Sequence, residues 1–267
     1  MTIIDDFIVE DNAFFVADSH FKTDDIKLIE YFANFPKGRQ IILMGDIFHL
    51  LIGKIHTSCV NNMQLIKQIA KLTYTNEIII LEGNHDFALA SLWEKYCDYN
   101  PKNLKIYAYN MQPIIAKGVS NGLYILAHGD LWINKKYDTY RNMINNPFIL
   151  FIFRLLDKLS CGIIYKIVAT RINQKLIAEF SFFRSDSQYF MSKRIAKYKS
   201  RIIQKLINRG FATNQTPFCI IEGHYHLGGY VIEDCITYNA LQSCYFHKDY
   251  LVLKQDSFII EVSNGTR

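Results

Sequence analysis

Five short apolar runs place the strongest limit on how this chain can fold, because each one stops at a cluster of Asp, Asn, His or Gly. They read "AFFVADSH" (13–20), "IILMGD" (41–46), "IIILEGNHD" (78–86), "LYILAHGD" (123–130) and "FCIIEGHYH" (218–226). Apolar runs of this length, closed by polar turn residues, predict buried strands. The stretches after the first three predict helices: Thr23 can cap 24–34, Thr57 or Ser58 can cap 59–72, and 87–96 is rich in helix formers. Strands alternating with helices predict an α/β sheet. In such sheets ligands collect beyond the carboxyl ends of the strands, where all five clusters fall. After Gly229, "YVIED", "ITYNA" and "YLVLKQDSFIIEV" predict further strands that complete the sheet system.

A chain of 267 residues is long enough for one sizeable core, or for one domain carrying a large insertion. The six cysteines (59, 97, 161, 219, 235 and 244) form no C-x-x-C pair, and the start "MTIIDDFIVED" is acidic. Both features predict a reduced, cytoplasmic chain with no signal peptide.

The net charge of +5 conceals a strong asymmetry. Between Leu131 and Gly210 there are 16 Lys and Arg against 4 Asp and Glu, a surplus of 12 that leaves the remainder of the chain at −7. A basic segment of this kind seeks phosphate on nucleic acid, a nucleotide or a lipid head group. Within it "NPFILFIFRLLDKL" (146–159) is apolar on nearly every side, "IIYKIVATRINQKL" follows, and "SKRIAKYKSRIIQKLINRG" (192–210) predicts a basic helix closed by Gly210. The uncharged run from Asn142 to Phe153 has 12 residues, whereas a membrane span needs about 20. That length fits a buried or interfacial helix, and Lys and Arg beside apolar rings are what a membrane-surface element carries. The sequence reading therefore divides the chain into a core of 1–130 with 211–267 and a helical insertion of 131–210. An ordinary helical cover packed on its own core stays open as the plainer reading.

The strand-end clusters together supply Asp18, His20, Asp46, Asn84, His85, His128, His224 and His226. Oxygen and imidazole ligands drawn from several loops, with one carboxylate able to bridge, are what a binuclear site for divalent ions requires. A lone His-x-His pair is weak; five clusters at five strand ends are not.

This pattern, "DSH", "GD", "GNHD", "HGD" and "GHYH", resembles the calcineurin-like metallophosphoesterases. The resemblance implies an α/β two-sheet sandwich flanked by helices and a dinuclear site for manganese, iron or zinc, with manganese as the expected metal. It implies that Asp18, His20, Asp46 and His226 hold one ion, and that Asp46, Asn84, His128 and His224 hold the other, Asp46 bridging. Two cations about 4 Å apart can acidify a shared water and clamp a phosphate oxygen for in-line attack. The resemblance assigns catalysis to His85, which would stabilise the transition state or protonate the leaving oxygen, with Asp86 orienting it. Asp130 would support the turn, and His56 and His247 are read as packing residues. The chain departs from the family at "GDIFHL", where His49 stands in place of the usual acidic residue three positions after Asp46; a contact to substrate, a contact supporting the ligands and a packed histidine all stay open for it.

The insertion resembles, more loosely, the helical lid of the UDP-2,3-diacylglucosamine pyrophosphohydrolases of lipid A biosynthesis. The matching features are "YDTYR" (137–141), then Pro147 with "FILFIF", then the 192–209 helix. A known branch has arginine where this chain has His85. The resemblance implies hydrolysis of an acylated sugar nucleotide to UMP and an acylated sugar 1-phosphate, with Asn84, Tyr137, Tyr140 and Arg141 touching substrate. It also implies a monomer, peripheral on the anionic cytoplasmic face of the inner membrane. A nuclease or other phosphodiesterase is the alternative, but the apolar "PFILFIF" does not favour nucleic acid. A metal-free scaffold should lack ligands, and none is missing.

Overall fold

The computed structural model describes residues 4–119, 122–177, 184–248, 250–253 and 258–263. The elements in chain order are β1 (Ile4–Val9), β2 (Phe14–Val16), α1 (Ile26–Ala33), β3 (Gln40–Leu43), β4 (Leu51–Ile52), α2 (His56–Asn61), α3 (Met63–Leu72) and β5 (Glu77–Leu81). Next come β6 (Asp86–Phe87), α4 (Leu92–Tyr96), β7 (Leu104–Tyr107), β8 (Ile114–Gly118) and β9 (Leu123–Ala127). The helical segment holds α5 (Lys135–Ile144), α6 (Pro147–Leu159), α7 (Ile163–Asn173), α8 (Arg184–Tyr198) and α9 (Gln204–Asn208). The chain closes with β10 (Phe218–Glu222), β11 (Tyr230–Glu233), β12 (Ile236–Ala240), β13 (Tyr250–Leu253) and β14 (Ile260–Ser263).

Two six-stranded sheets face each other, one ordered β1-β8-β9-β10-β12-β11 and the other β14-β13-β2-β3-β5-β7. The five runs identified in the sequence are β2, β3, β5, β9 and β10, buried on both faces as continuous apolar strands must be. β2, β3 and β5 are parallel neighbours, as are β9 and β10, so the carboxyl ends within each set lie side by side. Phe15, Ile42 and Ile79 point inward to meet Tyr124, Leu126 and Ile221 between the sheets. The alternate residues Phe14, Ile41 and Ile78 face outward against Leu28, Phe32 and Ile66 of α1 and α3. On the other side Ile125, Ile220 and Tyr238 pack against Ile195, Tyr198 and Ile202. The result is four layers, helix on sheet on sheet on helix.

The segment 131–210 was expected to be one insertion, but α8 and α9 form the outer helical layer of the first sheet. Met191, Ile195, Tyr198 and Ile202 recur at helical spacing and are buried, while the basic residues between them hid this stripe in the sequence. Only α5, α6 and α7 stand over the strand ends, and residues 178–183 lie outside the described residues, as do 254–257 between β13 and β14.

Smaller differences have local causes. α1 is capped by Asp25, whose Oδ1 accepts from Leu28 N at 3.0 Å, not by Thr23. The predicted 59–72 helix is two helices broken at Asn62, and the hydroxyl of Ser58 accepts from Ile52 N at 2.8 Å instead of capping. In 87–96 only α4 is helical, because Asp86 and Phe87 pair as β6 with β4. Strands β1, β7 and β8 were not foreseen.

Candidate metal centre

The two sheets bring their functional strand ends to one place. Asp18 and His20 follow β2, Asp46 follows β3, Asn84 and His85 follow β5, His128 follows β9, and His224 and His226 follow β10. Ligand atoms of Asp18, His20 and His226 lie within 4.8 Å of one another, and so do those of Asp46, His128 and His224. Asn84 Oδ1 is 3.2 Å from His128 Nε2, which adds it to the second group. Each trio falls within one of the groupings that the sequence resemblance implies, and Asp46, expected in both, lies in the second trio.

Aiming so many side chains inward strains the backbone. Asp18, His20, Asp46, His224 and His226 all have left-handed φ, from 45° to 63°. Such non-glycine residues cost of order 1–3 kcal/mol each and persist only where the surroundings hold them. Here His224 N donates to Asp18 Oδ2 at 2.8 Å, and His85 N donates to Asp46 Oδ1 at 2.8 Å. Two glycines make room: a Cβ at Gly83 would fall on the Asp46 carboxylate, and one at Gly223 would come within 2.8 Å of Asp18 Oδ2.

The donor chemistry fits divalent cations. His128 Nδ1 donates to the Met44 carbonyl at 2.8 Å, so in the neutral ring Nε2 carries the lone pair. That lone pair faces Asp46 Oδ2 at 3.5 Å and Asn84 Oδ1 at 3.2 Å, three acceptors with no proton between them. Burial opposes charge on His128, but the Asp46 carboxylate overrides it and pushes the imidazole up to about 10. A proton there substitutes for a cation. His20 and His224 move the other way, to about 4, because they are buried, so their lone pairs are free at neutral pH. Asp18 and Asp46 stay below the usual carboxylate range, their histidine neighbours outweighing burial. His20 Nδ1 is buried with no hydrogen-bond partner.

His85 stands at the edge of this cluster, its ring 5.1 Å from that of His20. Asp86 does not orient it. The Asp86 carboxylate accepts from the N–H groups of Gly83, Asp46, Ile47 and Phe48 at 2.7–3.2 Å, tying together the two loops that hold Asp46 and Asn84. His85 Nδ1 donates instead to the His49 carbonyl at 2.7 Å, which leaves Nε2 outside that bond. The His49 ring stacks against His85 at 5.4 Å, and its Nε2 donates to the Ile172 carbonyl in α7 at 3.1 Å. The residue that departs from the family pattern thus joins the helices above the site to the catalytic loop. Sequence reasoning missed this role because Ile172 is 123 positions away.

The expected substrate residues divide. Asn84 lies beside His128, its Oδ1 3.2 Å from Nε2. Tyr137 is half-buried beside His224, 6.3 Å between rings, and its hydroxyl donates to Asp130 Oδ2 at 3.2 Å. Tyr140 is exposed next to Tyr137. Arg141, expected to touch phosphate, is fully buried: Nε pairs with Asp130 at 2.6 Å, Nη2 donates to the Gly83 carbonyl at 2.9 Å, and the guanidinium lies 4.3 Å from the centre of the Tyr109 ring. Its Nη1 is buried with no hydrogen-bond partner. His56 contacts the Tyr96 hydroxyl at 3.1 Å, outside the cluster.

A sequence profile of the calcineurin-like phosphoesterases matches residues 13–252. The chain belongs to that family. Calcineurin-like phosphoesterases are metal-dependent hydrolases, and the two His/Asp groups described above are suited to hold their ions. A relative described as UDP-2,3-diacylglucosamine hydrolase, from Psychromonas ingrahamii, is 24% identical over 153 residues. The matched region spans 53% of this calcineurin-like chain and 58% of that relative.

Proposed function

We propose that this phosphoesterase hydrolyses the diphosphate of UDP-2,3-diacylglucosamine, giving UMP and 2,3-diacylglucosamine 1-phosphate. The observation that carries the reading is an apolar hairpin standing beside the metal-ligand cluster. In α6, Phe148, Phe151, Leu155 and Leu159 are exposed along one stripe, and in α7 Ile163, Ile164, Ile167 and Val168 are exposed as well. A patch of that size on a soluble domain marks an interaction site. Beneath it a cavity of about 170 Å³ lies between Leu50, Ile52 and Ile55 of the core and Phe153, Leu156 and Ile164 of the hairpin. Apolar walls and a nearby site for phosphate are what an acylated nucleotide diphosphate needs. The name of the Psychromonas relative supports the same substrate.

Two bound divalent ions, manganese in our reading, would supply Lewis acidity to the phosphate and lower the pKa of the attacking water. The water oxygen forms its bond to the phosphorus nearest uridine, and the bond from that phosphorus to the bridging oxygen breaks. His85, anchored through Nδ1, would in its doubly protonated form donate the Nε2 proton to the leaving oxygen, and the proton lost by the attacking water passes to solvent. Tyr137 lines the approach beside His224. Lys158, Lys166 and Arg171 are exposed around the apolar stripe, a mixture suited to an anionic lipid surface. No helix among the described residues is long and apolar enough to cross a membrane. We propose that the protein is a peripheral enzyme on the cytoplasmic face of the inner membrane, a reading supported by the exposed apolar and basic residues of the hairpin.

The test is UMP release from UDP-2,3-diacylglucosamine with added Mn²⁺, beside bis-p-nitrophenyl phosphate and an Asp46→Ala control. Rapid release lost in the control supports the proposal. Cleavage of the simple diester alone would leave the metallophosphoesterase and remove this substrate.

A further inference from the structure

Two arginines of the helical segment are buried among the metal-ligand loops, and each one bridges a different pair of them. Arg141 of α5 pairs with Asp130, two residues after His128, and donates to the carbonyl of Gly83, which precedes Asn84. Arg194 of α8 pairs through Nε at 2.9 Å and Nη2 at 2.5 Å with Glu222, two residues before His224. Its remaining donors reach the carbonyls of Leu131 at 2.9 Å and Gly129 at 3.4 Å, on the loop after His128. Glu222 is fully buried and also accepts from the hydroxyls of Tyr198 at 2.5 Å and Tyr238 at 2.6 Å. The loops of His128 and His224 touch directly as well, Gly223 N donating to the His128 carbonyl at 2.8 Å.

We infer that Arg141 and Arg194 are positioning residues that cross-brace the three loops supplying Asn84, His128 and His224, so that the helical segment helps build the second metal position. A planar guanidinium suits this work because its five N–H donors are fixed in one fork and can hold a carboxylate and two carbonyls at once. The first group is braced differently. Asp18 is held mainly by the segment after β12, its carbonyl accepting from the Ser243 hydroxyl at 2.7 Å and from Tyr245 N at 3.1 Å, while its Oδ2 accepts from His224 N at 2.8 Å. Of its members only His226 sits on a loop that Arg194 touches.

The inference rests on the metal-centre reading, and the experiment separates the two. Mn²⁺ binding to the full chain is measured by equilibrium dialysis and by electron paramagnetic resonance, with thermal unfolding alongside. Arg194→Lys and Arg141→Lys keep the charge and lose the fork. The double variant R194M/E222M removes both charges, so that neither is left buried and unpaired if Arg194→Lys fails to fold. The expected result is a folded protein whose first ion binds within about threefold of the parent. Its second ion should be weakened at least tenfold and the signal of coupled Mn²⁺ pairs should disappear. Folded variants that bind the second ion within threefold of the parent, or that weaken both ions equally, would overturn the inference. A parent protein that takes up fewer than two ions would overturn the metal-centre reading instead.

Discussion

Replacing Phe151 and Leu159 together by serine tests whether the α6–α7 hairpin meets lipid. Both side chains project from the same stripe of α6, 60% and 73% exposed respectively. Full burial of such a side chain is worth about 1.5–3 kcal/mol. The exposed fraction, roughly two thirds, therefore makes about 1–2 kcal/mol available from each on insertion. The pair contributes about 2–4 kcal/mol, and every 1.4 kcal/mol is about tenfold in an equilibrium. Because an interface is less apolar than a hydrocarbon core, the lower end applies, and partition should fall at least tenfold. The assay is cosedimentation with sucrose-loaded vesicles of zwitterionic lipid containing a quarter phosphatidylglycerol. Thermal stability should hardly change, since exposed positions typically move stability by about 0.5 kcal/mol or less. A double variant that binds vesicles within threefold of the parent would refute the idea that this stripe enters lipid.

Three other perturbations follow from the site. Gly83→Ala should cut diester hydrolysis at least a hundredfold and weaken Mn²⁺ binding, because its Cβ falls on the Asp46 carboxylate; parental metal affinity would contradict that. Metal uptake at pH 8 should displace about one proton from the histidines. His128 is held protonated up to about 10 and must lose its proton, whereas His20 and His224, at about 4, are already neutral. Ordinary histidines near 6.5 would release only about 0.03 of a proton each at that pH, so calorimetry in buffers of different ionisation heat decides it, with His128→Gln subtracting any proton lost by water. His49→Phe should leave kcat on a small diester within threefold, since the backbone carbonyl that holds His85 remains. It removes the donor to Ile172, a hydrogen bond worth about 1 kcal/mol, and so should raise KM for the acylated nucleotide about fivefold; an unchanged KM would detach His49 from the hairpin.

What could be read in the sequence was whatever is local. Each ligand follows its strand within a few residues, so "DSH" or "GHYH" names both the side chains and the turn that carries them, and the fold places the turns together. The partners of those ligands are another matter. Asp86 looked like the orienting group for His85 because they are neighbours in sequence, yet the carboxylate faces backbone N–H groups near position 46 and the imidazole faces a carbonyl at 49. Arg141 looked like a phosphate contact because a cation near a metal motif usually is one; its burial against Asp130 follows from the path of α5, which no spacing encodes.

The basic segment misled for a related reason. Its surplus of positive charge suggested one solvent-facing or lipid-facing unit, but charge tells which groups prefer water without telling which face of a helix they occupy. In α8 and the turn that continues it, the apolar residues at 191, 195, 198 and 202 lay the chain onto the sheet, and Arg194, one of those cations, is carried inward to Glu222. A buried arginine requires a carboxylate partner and filled donors, and here both are supplied by strand ends that already carry metal ligands. The segment therefore has two physical parts: α6 and α7 present apolar surface outward, and α5 and α8 direct their arginines inward to the loops. Removing the whole segment should take away both the proposed bracing of the second ion and the apolar surface proposed for substrate, whereas the serine pair on α6 should separate the two effects.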